Sequence, residues 1–299
     1  MTDHQRSTGG RPLAVVTGGS GGIGLELARE LARLGHDLLI AAEDADHLDQ
    51  AKRDLSAGGT QVETCAADLA REDGVEALGR AIGERPVDVL CVNAGVGLGG
   101  PFLKTDLQRE LGMIDLNVRG AVQLTKLVLK GMAARDRGRI LFTSSVAATM
   151  PDPFEAVYGG TKIFLRWFGQ ALREELRDTG VTVTILMPST TETDFFRRAD
   201  MMDTRAGTMK KDDAATVAKA GIDALMAGKD HVVPTAKNKV MAAIADMLPD
   251  TTAARRHRAL SEPGSARKQG GGAAVPLAAA ATAVGVGLAV MANRRRNRR

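Results

Sequence analysis

The chain has one tyrosine, Tyr158, four residues ahead of Lys162 in Tyr158-Gly159-Gly160-Thr161-Lys162. On a helix that spacing places both side chains on one face. A free phenol ionises near pH 10. A neighbouring ammonium, together with a bound oxidised nicotinamide, favours the phenolate. A downward shift of about three units represents about 4 kcal/mol and brings the phenol into the neutral range. Such a tyrosine takes a proton from an alcohol or returns one to a carbonyl. The pair alone is a weak signal, since a Tyr and a Lys four apart occur in many helices that only pack. It gains weight from Ser144-Ser145, which close a strand-like run; Ser145 lies thirteen residues before Tyr158.

A second constellation lies near the N-terminus, in Thr17-Gly18-Gly19-Ser20-Gly21-Gly22-Ile23-Gly24. A dinucleotide pyrophosphate must approach the backbone closely there, and side chains would obstruct it. The helix that follows offers unpaired N–H groups and a partial positive charge. A glycine-rich turn alone serves ordinary chain reversals too, but after the first strand of a βαβ pattern it points to a nucleotide. Gly18, Ser20, Gly22, Ile23 and Gly24 are the candidate contacts. Glu43 and Asp44 follow Gly24 by nineteen and twenty residues. An acid there hydrogen-bonds the adenosine ribose and repels a 2′-phosphate, which favours NAD(H). Capping of the next helix is the structural alternative for both acids. Arg6, Arg11 and Lys52 keep NADP(H) open.

The elements that must position these groups alternate along the chain. Strand-like runs cover Leu13–Thr17, Asp37–Ala41, Gln61–Cys65, Val87–Val92, Arg139–Thr143, Val181–Met187 and His231–Val233. Helical patterns cover Ile23–Leu34, Ala45–Ser56, Glu72–Ile82, Thr105–Ala134, Ala156–Asp178, Lys211–Met226 and Lys237–Met247. Ile23, Leu27, Leu31 and Leu34 make one apolar face at helical spacing. The alternation predicts an α/β fold, a doubly wound parallel sheet of about seven strands with helices on both faces. The expected organisation is a flexible N-terminus over 1–11 and one Rossmann-type domain over 12–250. A Gly/Ser-bearing linker over 251–272 and an apolar, Ala-rich segment with an Arg-rich end over 273–299 would follow. In a parallel sheet ligands bind beyond the carboxyl ends of the strands. The glycine turn, Asn93-Ala94-Gly95 and Ser145 all fall on that edge.

With these features in order and at these spacings, the chain resembles the short-chain dehydrogenase/reductase family, in its compact single-domain branch, over about residues 12–235. The resemblance rests on Thr17–Gly24, Asp68-Leu69, Asn93-Ala94-Gly95, Asn117 in Asp115-Leu116-Asn117-Val118, Ser145, Tyr158, Lys162 and Pro188. Gly18, Gly21, Gly22 and Gly24 also satisfy the glycine pattern of the longer, epimerase-like branch. The Asn93–Gly95 segment, the helical Asn117 and the lack of a large C-terminal substrate domain favour the compact one. The resemblance implies Tyr158 as general acid/base and Ser145 as hydrogen-bond partner of the substrate oxygen. Lys162 would hold the ribose hydroxyls and lower the Tyr158 pKa, and Asn117 would anchor a relay water. It further implies that Asp68 accepts from the adenine amino group with Leu69 beside it, and that Asn93, Ala94 and Gly95 line the adenosine ribose. Pro188 and Thr193 would flank the nicotinamide. One departure is Pro188-Ser189, where the family usually has Pro-Gly; Ser requires an ordinary φ there or accepts strain.

Composition narrows the alternatives. One Trp, one Tyr and seven Phe leave little for stacking against nucleic-acid bases. From Ala253 onward ten basic residues and one acid give +9, so residues 1–252 carry −5 of the net +4. A basic body gripping DNA is disfavoured. Two cysteines in apolar runs argue against a disulfide framework or a Cys-rich zinc site, no metal is indicated, and a reducing, cytoplasmic setting fits. The segment Thr190–Lys210, where the family covers its substrate, carries Phe195, Phe196, Met201, Met202 and Met209. These suit an adaptable apolar pocket, or only pack the lid. The expected activity is therefore NAD(P)-dependent hydride transfer to or from an apolar carbonyl or secondary alcohol. The rivals are a cofactor-retaining epimerase or dehydratase and a dinucleotide-sensing binding protein. Residues 273–292 carry no charge and are long enough to cross a bilayer as a helix. Spanning would carry the terminal arginines across, so peripheral contact with a cytoplasmic membrane face is favoured over a span, the alternatives being a disordered solvated tail and a helix that binds a partner or a second copy. A homo-oligomer, dimer or tetramer, is the family expectation.

Overall fold

A computed structural model of the chain describes residues 10–235, 238–239 and 248–270. Seven strands form one parallel sheet in the order β3-β2-β1-β4-β5-β6-β7. They are β1 (Leu13–Thr17), β2 (Asp37–Ala42), β3 (Val62–Ala66), β4 (Val87–Val92), β5 (Gly138–Thr143), β6 (Val181–Leu186) and β7 (His231–Val232). The sequence-based strands agree to within a residue at either end.

Side chains alternate across a strand, and β1 shows the consequence. Leu13 and Val15 enter one buried cluster, Ala14 and Val16 the other. Helices α1 (Gly22–Arg33), α2 (Ala45–Ser56) and α9 (Ala214–Met226) cover the second face through Leu27 and Leu31, Leu48 and Leu55, and Val217, Ile222 and Leu225. Helices α3 (Glu72–Ile82), α5 (Ala121–Ala134) and α6 (Ala156–Glu175) cover the first through Leu78, Leu124 and Leu165. With both faces buried, the strands read as nearly continuous apolar runs.

The strand order reverses between β1 and β4, so the crevice of a doubly wound sheet opens beyond their carboxyl ends. The glycine turn leaves β1 and Asn93 follows β4 at that point.

Three segments differ from the sequence reading. The single helix expected over Thr105–Ala134 is α4 (Leu107–Ile114), a π-helical turn over Asp115–Gly120, and α5. The wide turn holds Asn117 fully buried, and a Cβ at Gly120 would lie 2.1 Å from the Leu69 carbonyl oxygen. Such π turns recur at functional sites. The segment from Thr190 forms two short helices, α7 (Phe195–Arg198) and α8 (Arg205–Thr208). The linker expected over 251–272 is a correction: Asp250–Ser261 is helix α10, with Ala253 and Ser261 buried. Contacts group residues through Ala266 into one compact unit. Composition misled because α10 has a weak apolar face and buries small and polar residues in place of large hydrophobes. Most of the helix expected over Lys237–Met247, and the segment 273–299, lie outside the described residues. Among the described residues no helix is long and apolar enough to cross a membrane.

Candidate active site

The glycine turn is built by steric demand. Gly18 and Gly22 have φ of 65° and 51°, the left-handed region that favours glycine. A Cβ at Gly24 would stand 2.0 Å from the Gly18 carbonyl oxygen and 2.6 Å from Asn93 Nδ2. Ser20 is half-buried at the crest of the turn, and Ile23 packs back onto the second core cluster. Helix α1 begins at Gly22 with no side chain capping its first N–H groups. Those donors, an open approach over Gly21, and backbone free of side chains fit a pyrophosphate.

Thr17 and Asn93 lock this turn to β4. Thr17 Oγ1 accepts from the N–H groups of Asn93 (2.9 Å) and Ala94 (3.0 Å), and Asn93 Nδ2 donates to the Thr17 carbonyl at 3.0 Å. Thr143 Oγ1 donates to Asn93 Oδ1 at 3.0 Å, which ties in β5. Asn93 thus spends its side chain on the scaffold, while the exposed Gly95 backbone faces outward. Asp68 accepts from the Ala70 N–H at 2.9 Å, and Leu69 is buried beside it.

The two acids after β2 separate. Asp44 caps α2, accepting from the His47 N–H at 2.9 Å, and this bond holds its carboxyl below the usual range. Glu43 is exposed and has no hydrogen bond or ion pair among the described residues. Arg11 is engaged by the Gly59 carbonyl at 3.0 Å.

Ser145, Tyr158, Lys162 and Asn117 come together beyond β4 and β5. Ser145 caps a 3₁₀ turn over Val146–Thr149; its Oγ accepts from the Ala147 N–H at 3.1 Å and hydrogen-bonds Tyr158. Tyr158 and Lys162 share one face of α6, with Lys162 Nζ 5.7 Å from the Tyr158 ring centroid. Lys162 is buried, donates to the Thr143 carbonyl at 3.0 Å, and is pushed down to about 8 by burial. A Cβ on Gly95 would come within 3.1 Å of its Nζ. Ser144, the neighbour of Ser145, is occupied structurally, donating to the Lys162 carbonyl at 2.7 Å.

Tyr158 departs from expectation in one respect. Burial first, then the negative field of Glu155, raise its phenol well above the ordinary range, against the opposing Ser145 hydrogen bond. The downward pull expected from Lys162 does not act on it; the one lowering influence is the Ser145 hydrogen bond. The Asn117 amide is also more committed than expected. Its Nδ2 donates to Val96 O (2.9 Å) and Thr161 Oγ1 (3.0 Å), and its Oδ1 accepts from Val96 N (3.0 Å).

Pro188 is buried after β6, and its carbonyl accepts from Val146 N at 2.9 Å. Ser189 takes an ordinary φ, so the departure from Pro-Gly introduces no strain. Thr193 leans over the glycine turn, 2.9 Å from where a Gly22 Cβ would be. Of the apolar residues after Thr190, Phe195 meets Tyr158, at 5.2 Å between ring centroids. Phe196 and Met201 pack with Ala199 and Ala206 into a small core of their own, whereas Met202 is exposed.

The sequence of residues 12–203 matches the short chain dehydrogenase model. The chain belongs to that family. It is 32% identical over 214 residues to the human very-long-chain 3-oxoacyl-CoA reductase, covering 70% of this chain and 67% of that protein. It is 35% identical over 227 residues to the 3-dehydrosphinganine reductase TSC10B of Arabidopsis thaliana, covering 72% and 67%. It is also 36% identical over 201 residues to the glycine betaine reductase ATRR of Emericella nidulans, covering 67% of this chain but spanning only 16% of that longer protein. Among solved structures, a short-chain dehydrogenase from Sphingobium yanoikuyae in complex with NADPH superimposes with a TM-score of 0.70 at 25% identity, covering 80% of this chain and 96% of that one.

No local signal marks a role for Thr17, Thr143 or Thr161, the hydroxyls that fix Asn93 and Asn117. Thr17 and Thr161 stood inside the quoted motifs, but their bonds join residues distant in sequence. Nor does any local signal mark Asp152, Glu155, His257 and Ser261, which meet at the start of α6.

Proposed function

We propose that the chain is an NAD(P)-dependent oxidoreductase that moves a hydride between nicotinamide and a carbonyl or secondary-alcohol carbon. The observation that carries this reading is the Ser145–Tyr158 hydrogen bond with Lys162 on the same helix face, on the sheet edge that also holds the glycine turn. When bound, the nicotinamide supplies or accepts the hydride and, oxidised, brings a positive charge. The backbone N–H groups of α1 and the turn Gly18–Gly24 would hold the pyrophosphate, Asp68 and Leu69 the adenine, and Asn93, Ala94 and Gly95 the adenosine ribose. Pro188 and Thr193 would bound the nicotinamide.

In the reducing direction Tyr158 Oη gives its proton to the substrate oxygen, and Ser145 Oγ hydrogen-bonds that oxygen as charge builds. A phenol held protonated by burial suits this direction. Lys162 Nζ, whose hydrogen-bond partner among the described residues is the Thr143 carbonyl, retains two hydrogens for ribose hydroxyls. Asn117, its donors spent, would hold a relay water through its remaining acceptors.

The unpartnered Glu43 supports NAD(H) over NADP(H). Phe195 on Tyr158 supports a carbonyl carried on an apolar chain, in keeping with the 3-oxoacyl-CoA and 3-dehydrosphinganine named for two relatives. Exposed Phe102, Leu103, Leu107 and Leu111 near and along α4 support a homo-oligomer. Replacing Tyr158 by Phe tests the central role. Turnover of 3-oxoacyl-CoA test substrates should fall at least about a hundredfold with NADH affinity retained; wild-type turnover would remove Tyr158 from the chemistry.

A further inference from the structure

Two carboxylic acids are buried at the start of α6, where Glu155 is the N-cap residue three positions before Tyr158. Asp152 and Glu155 lie in the turn that leads into α6, each with only 7% of its surface exposed. Burying a charge is costly unless it is paired, so their partners matter. Both come from α10, which lies outside residues 12–203 matched by the family model. His257 Nδ1 stands 2.7 Å from Asp152 Oδ1, and Ser261 Oγ donates to Glu155 Oε2 at 2.9 Å. Asp152 Oδ2 has no hydrogen-bond donor among the described residues.

The turn is held under strain. Phe154, between the two acids, has φ of 69°, a conformation that a bulky residue rarely adopts and that persists only where the surroundings enforce it. Its carbonyl accepts from Gly100 N at 2.8 Å, and the Arg258 guanidinium lies 5.3 Å from its ring centroid. Gly159, whose Cβ would meet Asp152 Cβ at 2.6 Å, lets α6 close onto the pair.

We propose that Glu155, held by Ser261 at the N-cap of α6 beside the Asp152–His257 pair, is a positioning residue that sets the charge at the start of the helix that carries Tyr158. This rests on Tyr158 as the proton-transfer group. Asp152 and His257 together form a neutral ion pair when both are charged, so the net charge of the cluster follows Glu155. The ionisable groups that act on Glu155 are Asp152 from its own turn and His257 from α10, and the Ser261 hydroxyl is its donor. Burial and the Asp152 charge push Glu155 up to about 8. It is therefore a neutral acid at neutral pH and a carboxylate in mild alkali. In the charged state it opposes formation of the Tyr158 phenolate and keeps the phenol a proton donor.

Because Tyr158 is the only tyrosine, full-length protein carrying ¹³Cζ-tyrosine gives one resonance that reports this residue without turnover. In the wild type that resonance should move with a midpoint near pH 8, the ionisation of Glu155. Glu155→Gln should abolish this step while the protein keeps its circular dichroism. Ser261→Ala, which removes only the donor, should keep the step and raise its midpoint by about one unit. A flat wild-type resonance between about pH 6 and 10, or an unchanged step in Glu155→Gln, would overturn the proposal. Either result leaves the assignment of Tyr158 to proton transfer intact, since that is read from the turnover of Tyr158→Phe.

Discussion

Lys162 is a charge stored where the fold would be better without it. Its side chain is 4% exposed, one backbone carbonyl is its hydrogen-bond partner, and no carboxylate pairs with it among the described residues. Burial lowers it from 10.5 to about 8. The unfolded chain holds the proton more tightly, so below pH 8 the folded state carries an electrostatic cost of about 3 kcal/mol. Lys162→Met keeps the volume and removes the charge. It also leaves the Thr143 carbonyl without its donor, at about 1 kcal/mol. The expected net effect at pH 7 is a stabilisation of about 2 kcal/mol, or a Tm about 4–8 °C higher for a chain of this size. The sign with pH follows from the lowered value. Wild-type stability rises as pH increases through about 8 toward 10.5, so the advantage of Lys162→Met shrinks over that window. Equilibrium urea unfolding of both proteins without nucleotide, at several pH values, checks this. A variant less stable than wild type at pH 7, or an advantage independent of pH, would refute an uncompensated buried ammonium. The same substitution should weaken NADH binding, the exchange expected where a site keeps strain for function.

Glu43→Arg should shift the NADPH-to-NADH affinity ratio by at least about tenfold toward NADPH, whereas Asp44→Ala should cost about 1 kcal/mol of helix capping and leave that ratio unchanged. Fluorescence titration with both nucleotides distinguishes the two acids, and an unchanged ratio in Glu43→Arg would withdraw the case for NAD(H). Gly24→Ala must displace the Gly18 carbonyl, since its Cβ would lie 2.0 Å from that oxygen. It should destabilise the fold by about 1–3 kcal/mol and abolish NADH binding, and a variant that melts and binds like wild type would show that the turn yields freely.

The sheet and the edge that holds the site were readable from the chain alone because they depend on local pattern. Apolar runs of five or six residues, helical spacing and a glycine turn after β1 are short-range signals, and parallel topology follows from their alternation. Ser145, Tyr158 and Lys162 were legible for the same reason: strand end and helix face place them. The tertiary structure alone decided which polar groups remain available. It committed Asp44 to the α2 cap and left Glu43 unpartnered, and it spent the Asn117 amide on Val96 and Thr161 within a π turn. It sent Met201 and Phe196 into a core of their own, leaving Phe195 on Tyr158. It also turned a segment that reads as linker into α10, bringing His257 and Ser261 about a hundred positions along the chain to Asp152 and Glu155. Local pattern determines where an element runs, but a carboxyl's charge depends on what packs against it, and that is fixed only when distant segments meet.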